Sequence, residues 1–329
     1  HDALPICPIL FYTPTTPRIR SARLLLSYIL KRLAIAIPTL LVLIVISFLL
    51  MHSAPGGPFT SERELPPQVL ANLNAKYGLD DPLWKQIGSY VWGIVSDFDF
   101  GPSFVYKDRS VNEIIAQGFP ITLTYGLLSF AVAVIVGVGL GVAAAVRHNS
   151  LLDYVAVGVS IGAQVLPNFV MAPILVLVFT LWLGWLPGGG WQGPEYWIMP
   201  VIALSTSFMA SIARITRSSM LEVLTSNHIR TARAKGLPER RVILRHALKP
   251  AMLPVISYLG PAFVAMITGS VVVDIYFSTG GIGKAFVDSA LNRDYAVMMG
   301  VTILVGALTI FFNLVVDILY GWIDPKIRY

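Results

Sequence analysis

The sequence predicts an all-α integral membrane protein with six transmembrane helices, and three observations carry that reading. Of the 329 residues, 55% are hydrophobic and only 13% are charged, about half the charged share of an ordinary soluble domain. Six uncharged stretches, residues 33–51, 121–146, 154–186, 196–213, 251–273 and 295–316, come close to or exceed the roughly 20 residues needed to cross a hydrocarbon core. The basic residues crowd into alternate connections, as expected when the positively charged loops of a multi-span chain stay on one side.

Taken in order, residues 1–22 read as a disordered leader. Pro5, Pro8, Pro14 and Pro17 interrupt them, so they lack the sustained apolar core of a signal peptide. An N-terminal membrane helix follows over 23–51, with Pro38 inside its charge-free part. Residues 52–119 form a long extracytoplasmic loop region. It is acidic on balance, with Glu62, Glu64, Asp80, Asp81, Asp97, Asp99, Asp108 and Glu113 against Arg63, Lys76, Lys85, Lys107 and Arg109. Val69, Leu70, Leu73 and Tyr77 recur at helical spacing there and predict a short amphipathic helix over 66–78. The rest, 120–329, is the core transmembrane domain. Within it the stretch 154–186 is too long for one straight span, so a bend is expected near Pro167 or Pro173. Charges border the six runs and none lies inside, consistent with a penalty of about 2.5–3.5 kcal/mol for a charge at a span centre.

Orientation follows from the basic residues. Arg18, Arg20, Arg23, Lys31 and Arg32 precede the first span, Arg147 follows the second, and Lys326 and Arg328 close the chain. The connection after the fourth span carries Arg214, Arg217, Arg230, Arg233, Lys235, Arg240, Arg241, Arg245 and Lys249. With alternating spans all of these fall on one side, so both termini are expected to be cytoplasmic. The net charge of +6 thus reflects topology, and nucleic acid is not an expected partner.

Chemistry-bearing motifs are incomplete. Asp99-Phe100-Gly101 has none of the companion motifs of a kinase. The run Gly280-Gly281-Ile282-Gly283-Lys284 has Ser278 and Ala285 where a phosphate loop needs Gly and Ser or Thr. His1, His52, His148, His228 and His246 all lie outside the spans, and Cys7 is the only cysteine, so neither a metal site nor a catalytic site is predicted. Gly137 with Gly141, and Gly158 with Gly162, are Gly-xxx-Gly pairs that permit close helix packing. Thr302, Gly306, Thr309, Asn313 and Asp317 share one face of the last span, and Gln164, Pro167 and Asn168 interrupt the third. Polar groups within a span face protein or water, so Gln164, Asn168, Asn313 and Asp317 are candidates for either packing or the transport pathway. A secondary transporter or channel would instead carry an ion relay of intramembrane charges, which these runs lack.

The connection 214–250 is the most informative segment. Residues 229–238 read as a short basic helix with small residues on one side, stopped by Gly236 and Pro238, and a second helix is expected over 239–248. A sharply stopped small-residue face suits docking into a groove on a partner. Arg230-Thr231-Ala232 with Gly236, and His246-Ala247-Leu248-Lys249-Pro250 beyond, resemble the cytoplasmic signature of binding-protein-dependent ABC importer permeases, with Arg-Thr in place of the usual Glu-Ala. The form is similar to that of the peptide/nickel subgroup. Further matches are Ala54-Pro55-Gly56-Gly57-Pro58, Tyr77 to Pro82, Phe100-Gly101-Pro102-Ser103, Leu186 to Gly190, Ile212 to Arg217, Gly281-Ile282-Gly283 and Asp324 to Tyr329.

Together they cover residue 24 to the end, and the resemblance is nearest to the B-type subunits of oligopeptide importers. It implies a type I ABC importer permease fold in a bacterial cytoplasmic (inner) membrane. It also implies a translocation pathway shared with a second homologous permease, two cytoplasmic ATPase subunits that bind ATP and Mg²⁺, and an extracytoplasmic peptide-binding protein. On that resemblance Arg230, Thr231, Ala232, Arg233, Gly236 and Leu237 form the coupling helix in the ATPase cleft, and this chain holds no cofactor and is no enzyme. Dipeptides, nickel chelates and small oligosaccharides are the alternative cargoes of the same broad family.

Overall fold

The computed structural model describes residues 18–53, 78–106 and 108–323 with positions 68, 71 and 74. It describes side-chain surroundings from residue 30 on, apart from positions 168, 317 and 319–323. The amphipathic helix expected over 66–78 lies largely outside the described residues, as does most of the leader.

Helix α1 spans Arg18–Ser53. Its first described residue, Arg18, lies five residues inside the stretch expected to be leader. The long loop contains α2, Leu83–Asp97, which hydropathy over spanning lengths does not reveal. Helix α3, Val111–Val146, starts ten residues before its apolar run because Ser110 and Glu113 form a reciprocal capping box.

The third apolar stretch is split into α4, Leu151–Val165, and α5, Asn168–Leu175, which continues as a π-helical turn over Val176–Trp182. The path bends by 109° between the two arms, a far sharper break than the expected bend. Pro167 is the cause: it cannot donate a backbone hydrogen bond, and it forces Leu166 out of the helical region, to φ −79° and ψ 110°. Pro173, the other candidate, sits inside α5 without ending it.

Helix α6 covers Ile198–Leu224, α7 Asn227–Ala234 and α8 Glu239–Arg241. A second π-helical segment, Val242–Ala247, joins α8 to α9, Leu248–Thr268. The described residues end with α10, Val271–Tyr276, α11, Ile282–Leu291, and α12, Tyr295–Ile323. Among the described residues five helical stretches are long and apolar enough to cross a membrane, and a sixth is counted when α4 and α5 form one broken span. The six predicted apolar runs thus correspond to these elements.

Helix α6 is central and packs against α3, α4 and α9. Its seam with α3 depends on Gly137 and Gly141. A Cβ at Gly137 would lie 2.8 Å from the Met209 carbonyl oxygen, and one at Gly141 2.5 Å from that of Ala213. The backbones therefore meet as the first Gly-xxx-Gly pair predicts. The second pair does not pack within the chain: Gly158 and Gly162 are exposed, with nothing within 4 Å of an added Cβ. Gly306 of α12 lies against Leu43 of α1, so the shared face of the last span is used for packing at that level. Tyr125, Leu204, Ile212, Val255, Met266 and Phe277 form the main buried cluster. Outward-facing Ile35, Leu50, Ile135 and Val165 are exposed, as a lipid-facing surface requires.

Candidate functional site: a basic helix between two spans

Helix α6 runs about three turns past the end of its apolar stretch at Ala213, and its extension is braced. The Arg217 guanidinium grips the Asp153 carboxylate with Nε–Oδ1 2.6 Å and Nη2–Oδ2 2.8 Å, while His148 lies 3.1 Å from the same carboxylate. Asp153 is almost fully buried, and this fork ties the connection between α3 and α4 to the end of α6. The chain then turns at Thr225-Ser226 into α7.

A Schellman motif stops α7. Gly236 takes φ +74°, its N–H donates to the Arg233 carbonyl at 2.9 Å, and the Leu237 N–H reaches the Ala232 carbonyl at 3.4 Å. An L side chain at 236 would meet open space but a strained backbone. The expected glycine-then-proline stop is therefore present in full geometry. Arg233 spans the stop to Glu239, with Nη2–Oε1 2.6 Å and Nε–Oε2 3.2 Å. That carboxylate holds the guanidinium even more firmly protonated than usual. Both partners are about half exposed, so the pair orients more than it stabilises.

The structure corrects one expectation about this helix. One of its small residues, Ala232, faces the chain's own interior: it and Ile229 are buried with Met220, Val242, Ala247 and Ala251, and Leu237 packs against them. Ala232 is thus inward, because the π-helical segment returns beneath α7 and covers that face. The exposed side carries His228, Arg230, Thr231, Arg233, Ala234, Lys235 and Gly236. It continues into Arg240, Arg241, Leu244 and Arg245, with Leu244 half exposed. The surface on offer is cationic, with Ala234 and Gly236 as low points and Leu244 as an apolar contact. The separate second helix expected over 239–248 is instead α8 and the π segment running directly into α9. A lodged π turn often marks a functional position in a helix.

The other candidate residues are not gathered at this site. Gln164 is exposed in the last turn of α4, and Asn313 is exposed on α12. Asn168 opens α5 and Asp317 lies within α12, but both side chains fall outside the described residues. Among the described residues no group of three or more His, Cys, Asp or Glu is placed to hold a metal ion.

Three buried carboxylates escape a reading of the sequence, which places them only as charges bordering apolar runs. Asp153 is described above. Asp274, fully buried in α10's first turn, accepts from the Thr279 hydroxyl and, at 3.0 Å, from the Gly283 N–H. Thr122 of α3 accepts from the Ile282 N–H at 3.0 Å, so the start of α11 is fastened to two spans. A Cβ at Gly281 would collide with Asp274 and Thr122, which accounts for the glycines of Gly281-Ile282-Gly283. Nearby, the Gly190 N–H donates to the Phe277 carbonyl at 2.7 Å, joining the Leu186 to Gly190 loop to the same end. Asp294, also fully buried, accepts from the Ser103 hydroxyl, from the Phe104 N–H at 3.2 Å and from the Val297 N–H at 3.3 Å. It fixes the loop after α2 to the start of α12.

Comparison with known proteins agrees with this architecture. Residues 137–329 match the binding-protein-dependent transport system inner membrane component family, and residues 25–126 match the N-terminal region of such membrane components. The chain is 56% identical over 307 residues to the oligopeptide transport system permease protein OppB of Haemophilus influenzae, covering 93% of this chain and 100% of that one. It is 57% identical to OppB of Escherichia coli K12 with the same coverage. It is 42% identical to the dipeptide transport system permease protein DppB of Bacillus subtilis, covering 92% and 97% of the two chains. Among solved structures, an inward-facing form of the MetNI methionine ABC transporter matches 65% of this chain and 97% of its own, with TM-score 0.55 at 15% identity. That likeness concerns the fold alone. The chain belongs to the binding-protein-dependent transport system inner membrane components, as a multi-pass permease subunit of the bacterial inner membrane and not an enzyme.

Proposed function

We propose that this chain forms the translocation pathway of an ATP-driven oligopeptide importer together with a second, homologous permease. Two cytoplasmic ATPase subunits bind ATP and Mg²⁺ and drive it, and a peptide-binding protein delivers cargo on the opposite side. Both chain termini and α7 then face the cytoplasm, in keeping with the distribution of basic residues.

The observation that carries this reading is the exposed basic side of α7, bounded by the Schellman stop and packed through Ile229 and Ala232 onto α6 and the start of α9. A helix held this way moves as one piece with two spans. Closure of the ATPase pair on ATP pushes α7, and the braced spans carry the displacement toward the far side; hydrolysis reverses it. Arg230, Thr231, Arg233, Lys235 and Gly236 meet the ATPase, while Ala232 and Leu237 hold the helix from behind.

Likeness at 56–57% to two OppB proteins supports oligopeptides as cargo, and the 42% likeness to DppB supports dipeptides as the second reading. The test is uptake of labelled peptides of two to eight residues by the reconstituted five-component importer. Peptides of four or more residues should be accumulated on ATP addition. Accumulation of dipeptides alone would replace the oligopeptide reading, and uptake indifferent to ATP would remove the importer.

A further inference from the structure

Helix α2 is apolar on two sides. Ile87, Tyr90, Val91 and Ile94 pack against Ile44 and Phe48 of α1 and Met299 and Ile303 of α12. On the adjoining side Trp84, Trp92 and Val95 are exposed at 76%, 71% and 70%, with exposed Lys85, Ser89 and Ser96 beyond them. Residues 86–96 carry no charge, and Lys85 and Asp97 stand at the two ends. An apolar face of this size does not belong in water.

Its depth follows from the spans it touches. Ile44 lies nine residues before Ser53, the end of α1, and Ile303 eight residues after Tyr295, the start of α12. At 1.5 Å per residue the cluster that α2 packs against, from Phe48 and Met299 down to Ile44 and Ile303, lies about 6–14 Å below the ends of both helices. At that level α1 still exposes Ile46 and Leu50, which a membrane span turns toward lipid. The uncharged stretch of α2 extends only about 17 Å, too short to cross a core of about 30 Å.

We propose that α2 is an interfacial helix lying within the lipid leaflet at the Ser53 end of the bundle, with Trp84, Trp92 and Val95 in contact with lipid at the headgroup–acyl boundary. Tryptophan favours that boundary because its ring is apolar and its N–H remains hydrated or bonded. The helix anchors the loop that Asp294 fastens to α12, so the docking side of the permease is held at a set height on the bilayer. The inference rests on α1 and α12 spanning the membrane, and not on what is transported.

Gly88 lies between the two tryptophans on the exposed side, with nothing within 4 Å of an added Cβ. A nitroxide on Gly88→Cys, in a Cys7→Ser background and an otherwise thiol-free complex, reports its surroundings without disturbing packing. The complete importer is placed in nanodiscs of phosphatidylethanolamine and phosphatidylglycerol, and collisions with oxygen and with a water-soluble nickel chelate are measured. The oxygen-to-nickel ratio should exceed that of a label at exposed Arg147 by about tenfold, as oxygen concentrates in hydrocarbon and the chelate is excluded from it. A ratio equal to that at Arg147 places the face in water and overturns the proposal. Low collisions with both reagents and an immobilised label place it against another protein subunit, and overturn it equally. Peptide uptake is the separate readout for the importer, so the two readings fail independently.

Discussion

Replacing Gly141 by alanine tests the backbone contact on which the bundle is organised. The added methyl would lie 2.5 Å from the Ala213 carbonyl oxygen and 2.6 Å from Thr216 Cβ. Neither atom is the tip of a flexible side chain, so α3 and α6 must separate by several tenths of an ångström or more. Overpacking of this kind costs about 1–3 kcal/mol, partly offset by alanine's helix propensity, worth up to about 1 kcal/mol. Gly158→Ala supplies the control: the same chemistry in a membrane helix, with nothing within 4 Å of the new atom. It should be neutral, or stabilising by up to about 1 kcal/mol. The expected gap is about 2 kcal/mol, close to thirtyfold in the unfolding equilibrium. Unfolding of the purified chain by dodecyl sulfate in bicelles, followed by helical circular dichroism, reads it directly. Equal unfolding midpoints for the two variants would refute the claim that Gly141 is there to let the helices touch.

Three other outcomes are expected. Gly236→Val forces a β-branched residue into φ +74° at a local cost of about 1–2 kcal/mol; membrane insertion should persist while ATP hydrolysis no longer drives uptake, and normal import by this variant would contradict the coupling assignment. Arg217→Ala removes both hydrogen bonds that hold the Asp153 carboxylate and should lower the temperature of thermal denaturation. Pairing it with Asp153→Asn should recover much of the loss in thermal denaturation, and a double variant as unstable as the single one would rule out an uncompensated charge as the cause. Arg233→Ala removes an exposed ion pair and should change stability by no more than about 1 kcal/mol, yet weaken association with the ATPase subunits; a large fall in melting temperature with intact association would reverse those roles.

Residues that are close in sequence determined a great deal of this protein. Hydropathy over about 20 positions located the apolar runs because a span must satisfy its backbone and bury its side chains within one continuous segment. Pro167 marked the break, since its effect on Leu166 is between neighbours, and Gly236 with Pro238 marked the end of α7, since a helix stop is made of adjacent peptide groups. The tertiary structure alone decided which surfaces were left over. Gly137 with Gly141 and Gly158 with Gly162 are the same pattern, but only the first pair meets another helix. Ala232 looked available until the segment after Gly236 returned to cover it. Asp153, Asp274 and Asp294 read as membrane-border charges, yet their partners Arg217, Thr279 and Ser103 bury them, two of those partners being many residues away. Burial depends on what the rest of the chain brings alongside, and no local pattern contains that information.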